Sequence, residues 1–117
     1  MTRDEIMALE AGAETDALVA QALGWTQLKV MPWIAPRGIA PGDINNTEIP
    51  RFTSNVGAAY RAEETLDPPS QREFGDNLSA ITRDGLGMTV HWRLAHASPL
   101  ERCKALLLTL ALDDVSP

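Results

Sequence analysis

Ser98-Pro99-Leu100-Glu101-Arg102-Cys103-Lys104-Ala105-Leu106-Leu107-Leu108-Thr109-Leu110-Ala111-Leu112 constrains the fold more than any other stretch, because it holds the longest apolar periodicity in the chain. Ser98 supplies an N-cap oxygen, Pro99 suits the first helical position, and Glu101 completes a capping box three residues after the cap. Leu100, Cys103, Leu107, Leu110 and Ala111 keep helical spacing, while Leu106 and Leu108 widen the apolar arc. One sheet covers about a third to a half of a helix. The rest of this arc calls for further cover, and a second copy of the chain is the expected one, making a homo-oligomer.

The chain has 117 residues. That length suits one domain, which would bury about two thirds of the surface its unfolded chain exposes. Sixteen acidic against ten basic side chains give a net charge of −6, which disfavours tight nonspecific binding to nucleic acid or to an anionic membrane. Apart from Lys29 and Lys104 the basic residues are all Arg, which suits phosphate or carboxylate recognition and is also what a GC-rich genome produces. Cys103 is the single cysteine, so no internal disulfide forms, and its place on the apolar side of its helix makes it a core residue. No run approaches 18 apolar residues, and Met1-Thr2-Arg3-Asp4-Glu5 lacks the apolar core of a signal peptide. A soluble, non-exported protein is expected.

Thr2 and Glu5 form a second capping box, opening a short helix with Ile6 and Leu9 that Gly12 interrupts. A helix from Ala13 to Leu23 follows, with Leu18, Val19, Ala22 and Leu23 on one side, Gly24 as its stop, and Glu10, Glu14 and Asp16 facing solvent. Trp25 to Val30 reads as a strand. Residues 31–50 hold Pro32, Pro36, Pro41 and Pro50 with Gly38 and Gly42, so a long irregular loop is expected, either contacting a ligand or inserted without a role. Thr53 or Ser54 caps a helix to Leu66, with Val56, Ala59, Tyr60 and Leu66 inward, which Asp67-Pro68-Pro69 ends. Leu78–Thr82 and the alternating Met88–Ala95 read as an antiparallel hairpin turned by Arg83-Asp84-Gly85. The expected fold is α+β, with three main helices packed on a small antiparallel sheet.

No catalytic or metal centre stands out. His91 and His96 fall on opposite strand faces, no Ser occupies a glycine-flanked elbow, and the neighbouring carboxylates Glu63-Glu64 and Asp113-Asp114 suit a solvated surface. Gly85-Leu86-Gly87 is too short for a phosphate loop. No cofactor is expected. The candidate site is a collection: His91 and Arg93 on the polar strand face, with Arg51, Phe52, Arg61, Trp33 and Arg37. Arg and aromatic side chains together suit a phosphorylated, base-bearing ligand, although strand Arg residues are more often solvated.

Pro50-Arg51-Phe52-Thr53-Ser54-Asn55-Val56-Gly57-Ala58-Ala59-Tyr60 resembles a segment of small phage proteins of the ABA-sandwich domain family. Leu18-Val19-Ala20 followed by Gly24-Trp25, and Ser98-Pro99 with Cys103-Lys104-Ala105-Leu106-Leu107, resemble two further family segments, in the same order. Glu63 departs from the pattern where relatives carry an aliphatic residue. The proline-rich loop looks like an insertion, and the Trp-rich hairpin is reduced to Trp92. The resemblance implies a phage or prophage origin, a host bacterial cytoplasm, and no catalytic residues. By analogy with small phage sponge proteins, the expected function is counter-defence by sequestering a nucleotide-derived immune signal. The alternatives are an acidic protein-binding inhibitor of a host defence complex such as a CRISPR effector, or an assembly accessory without a ligand. The acidic residues are spread along the chain rather than gathered in a block, which weakens DNA mimicry.

Overall fold

The computed structural model describes residues 1–83 and 89–110. In chain order the elements are α1 (Arg3–Met7), α2 (Ala13–Ala22), β1 (Thr26–Met31), β2 (Ile34–Ile39), β3 (Thr47–Glu48), α3 (Val56–Glu63), α4 (Pro68–Ile81), α5 (Val90–Ala95) and α6 (Pro99–Leu110). The architecture is α+β, with helices packed around α6 and a three-stranded antiparallel sheet laid against α2.

Local chemistry sets the helix starts. Thr2 and Glu5 exchange side-chain and backbone hydrogen bonds at 3.0 and 3.2 Å, and Ser98 and Glu101 do the same at 2.8 and 3.1 Å, so each capping box satisfies two otherwise orphaned amides. Asn55, rather than Thr53 or Ser54, caps α3 by accepting from the Ala58 amide at 3.0 Å. Asp67 accepts from the Ser70 amide at 2.9 Å, and Pro68-Pro69 occupy the first helical positions. The prolines expected to end one helix therefore begin the next, where a missing N–H costs nothing. Gly24 ends α2 with φ +97°, a conformation that favours glycine.

The core forms around α6. Helices α1, α2, α3 and α4 all pack on it, and Cys103, Ala105, Leu106, Leu107, Leu108 and Thr109 are buried on every side. Leu106 and Leu108 are thus covered within the chain and give no sign of a second protomer. Each such leucine contributes about 1.5–3 kcal/mol through burial. Thr109 is tolerated because its hydroxyl donates to the Ala105 carbonyl at 2.8 Å and accepts from the Asn77 amide at 3.1 Å. Ile6, Val19, Ala20, Ile49, Phe52, Phe74 and Leu78 belong to the same cluster.

The sheet lies where a loop was expected. It has the order β1-β2-β3, with Thr26 opposite Ile39, Lys29 opposite Arg37 and Met31 opposite Ile34, then Arg37 opposite Glu48 and Gly38 opposite Thr47. Pro36 brings no donor to β2, but its carbonyl accepts from the Ile49 amide at 2.8 Å. The strand β1 matches expectation to within a residue. The hairpin expected at Leu78–Thr82 and Met88–Ala95 does not form: Leu78 to Ile81 are the last turn of the fourteen-residue α4, and Val90–Ala95 is helical, started by Thr89 accepting from the Trp92 amide at 3.2 Å. The turn expected at Arg83-Asp84-Gly85, the Gly85-Leu86-Gly87 stretch, Met88, and the Ala111-Leu112 end of the last helix fall wholly or partly outside the described residues.

Candidate functional site

The antiparallel pair β1–β2 turns through Pro32-Trp33, and its tip exposes apolar side chains. Val30 is 42% exposed, Met31 48%, Ile34 51% and Trp33 81%, a concentration that soluble proteins rarely leave without a use. The tip overhangs the connection between α1 and α2. A groove of about 630 Å³ runs between them, walled by Leu9, Leu18, Val30 and Met31, with Glu10 and Glu14 along it. Past Pro32 it continues into a second groove of about 450 Å³ beside Trp33 and Ile34, where Glu48 and Arg51 are the exposed charged residues.

A buried polar anchor fixes the floor. Asp16, expected in solvent, is 5% exposed. Its Oδ1 accepts from both the backbone amide and the hydroxyl of Thr53, each at 2.8 Å, and the Thr53 hydroxyl accepts from the Gly12 amide at 3.0 Å. One carboxylate thereby holds the start of α2 and the 50–54 segment together, satisfying groups that burial would otherwise penalise. Its helical spacing with Val19, Ala20 and Leu23 was the available signal that it faces inward.

The residues read as one site are dispersed. Trp33 and Arg51 line the same groove. Phe52 is buried, and with Arg61 it lines a separate small cleft. Arg37 is spent on structure: its guanidinium donates to the Asn46 side chain at 2.8 Å and to the Asn46 carbonyl at 3.2 Å. Arg93 and His91 lie in α5, so no polar strand face presents them. Arg93 instead reaches the Ser79 carbonyl at 3.4 Å across to α4.

A second buried polar group joins three helices. Arg102 donates to Glu63 at 2.8 Å and to the Leu94 carbonyl, and its guanidinium lies 4.6 Å from the centre of the Tyr60 ring. Burial pushes the Glu63 carboxyl above its ordinary value, opposed by the charge and hydrogen bond of Arg102. Glu63, expected on a solvated surface, is therefore paired inside. Arg102 shares helical spacing with Leu106 and Thr109, the sequence signal that it faces the core. Tyr60 and Val56, expected inward, are 41% and 42% exposed, and Ala58, Ala59 and Ala62 take the buried face of α3. Cys103 is buried, and desolvation, aided by the charges of Asp16 and Glu63, pushes its thiol up to about 12. It is not a nucleophile at neutral pH.

Among the described residues no three His, Cys, Asp or Glu side chains gather to hold a metal ion, and no helix is long and apolar enough to cross a membrane. No family model matches the chain, and neither a curated protein nor a solved structure matches it.

Proposed function

We propose that this chain is a non-catalytic binding module that grips a basic, apolar-anchored segment of a protein partner with the β1–β2 tip and the groove beneath it. The supporting observation is the groove itself: exposed Val30 and Met31 stand over Leu9 and Leu18, with Glu10 and Glu14 as its charged lining residues. Apolar walls with carboxylates beside them favour an apolar side chain flanked by Lys or Arg, the carboxylates setting orientation and encounter rate. Trp33 at the tip has the exposure and size of an interface anchor. Together with the resemblance to phage proteins, this favours the inhibitor of a basic host defence complex, a CRISPR effector being one example.

The test uses peptides alternating Lys with Leu, against peptides alternating Glu with Leu, with tryptophan fluorescence as readout. The basic peptide should shift the emission to the blue, weaken with added salt, and bind less tightly to Trp33→Ala and to the double variant Glu10→Gln, Glu14→Gln. Equal binding of both peptides would overturn the proposal.

A nucleotide-derived ligand has a narrower footing, the shared groove of Trp33 and Arg51, which offers stacking and one guanidinium. The dispersal of Arg37, Arg61 and Arg93 removes the multiple cations that such a ligand would want. Calorimetric titration with cyclic oligonucleotides and cyclic ADP-ribose isomers separates the readings, since heat that Arg51→Ala abolishes would favour the nucleotide.

A further inference from the structure

Phe52, the residue after Arg51, faces a cleft distinct from the tip grooves. On α3, Ala58, Arg61, Ala62 and, just beyond its end, Thr65 follow i, i+3, i+4 and i+7 spacing and so share one face. The two alanines leave a depression of about 230 Å³ that is also lined by Leu23, Trp25, Pro41, Pro50 and Phe52. Its rim is preorganised. The two prolines have restricted backbones, and Pro41 crosses close enough to Gly24 that a Cβ there would lie 3.4 Å from its ring.

Among the described residues Arg61 is the only charged side chain lining the cleft. Among the described residues it makes no side-chain hydrogen bond and no ion pair, whereas Arg37, Arg93 and Arg102 all have protein acceptors. The Thr65 hydroxyl already donates to the Ala62 carbonyl at 2.7 Å, so the guanidinium is the charged group with donors to offer an anion. An apolar recess with one forked cation at its edge recognises an apolar body carrying a carboxylate. Its volume is below the roughly 300 Å³ at which sites for drug-sized ligands begin, which suits one ring or one branched alkyl group and excludes a nucleotide.

We infer that this cleft binds a small monocarboxylate, its ring or branched chain packed on Phe52 and Trp25 and its carboxylate held by Arg61. The site is independent of the protein-binding groove.

Heteronuclear NMR of the full chain tests it, with 3-phenylpropionate and 4-methylpentanoate as probes and their primary amides as controls. The carboxylates should shift the Trp25 indole and the Ala58 and Ala62 amides, saturating at about millimolar concentration, as expected for so few ligand atoms. The amides should bind about tenfold more weakly. Arg61→Gln should weaken the carboxylates about tenfold and erase their advantage over the amides, while Arg61→Lys restores part of it. The spectra of the variants also report whether each remains folded. Absence of shifts at these residues, shifts centred on Trp33 instead, equal binding of acid and amide, or a folded Arg61→Gln variant that binds unchanged would each overturn the inference.

Discussion

Replacing Arg102 by Met should destabilise the protein in a strongly pH-dependent way. The guanidinium is almost fully buried, touches Glu63, the Leu94 carbonyl and the Tyr60 ring, and links α6 to α3 and the end of α5. Breaking a buried pair from one side costs about 3–5 kcal/mol, because the remaining charge stays in a poor solvent. Glu63 retains 17% side-chain exposure and can escape by taking a proton, so the lower end, about 3 kcal/mol, is expected at pH 8.

The sign with pH follows from Glu63. Burial raises its folded-state value above the ordinary 4.5 despite the opposing pull of Arg102. The folded protein therefore holds this proton more tightly than the unfolded chain. The group's stabilising contribution is complete below 4.5 and is lost as pH rises through the folded value. Removing Arg102 leaves desolvation unopposed and raises that value further, so the deficit of the variant grows with pH. At pH 4.5 about 1 kcal/mol should remain, from the lost Leu94 hydrogen bond and Tyr60 contact.

Urea denaturation followed by circular dichroism at both pH values measures the difference, with the other carboxylates cancelling between wild type and variant. With a slope of about 1.5 kcal/mol/M, the midpoint should fall by about 2 M at pH 8. A cost at pH 8 matching that at pH 4.5 within about 0.5 kcal/mol would refute the coupling to Glu63.

Leu108→Ala should cost about 3 kcal/mol at neutral pH in the same assay, since this side chain is fully buried on the helix against which four others pack and the hole can collapse only in part; a loss below about 1 kcal/mol would mean the site is not close-packed. Asp16→Ala should cost about 2 kcal/mol by leaving the Thr53 amide and hydroxyl without their buried acceptor. Hydrogen exchange should show the Thr53 amide losing protection more than the amides of α4. Cys103 should resist alkylation at pH 8 in the native protein and react once unfolded, because its thiol titrates only near 12; rapid native labelling would contradict that burial.

Sequence legibility followed the reach of the forces involved. The start of α6 and of α1 was readable because a capping box is a contact between residues three apart. Both strands of the expected hairpin turn out helical because local alternation does not decide between periods over so few residues. Leu78–Thr82 becomes a strand only if Pro68-Pro69 is taken as a terminator, yet after Asp67 the same prolines start a helix whose last turn holds those residues. Proline density in 31–50 concealed β2 and β3, since Pro36 keeps its place through a carbonyl bond to Ile49, a partner thirteen residues away. The candidate site was dispersed for the same reason. Its grouping depended on a polar strand face that became α5, and the structure keeps together just the pairs Trp33 with Arg51 in one groove and Phe52 with Arg61 in another cleft. Asp16 and Arg102 were hidden by their charge, although their helical spacing placed both inward.

The Lys104 ammonium donates to the Met7 carbonyl at 2.7 Å across 97 residues of chain, and α6 is the element on which α1, α2, α3 and α4 all rest. Among the described residues no element other than Pro99–Leu110 packs against all four of those helices. During synthesis the preceding residues must therefore wait with their apolar faces open, and the fold closes late, in one cooperative step with a large loop-entropy cost. A nascent chain stalled before residue 99 is for this reason a target for chaperones and proteases rather than a partly working protein.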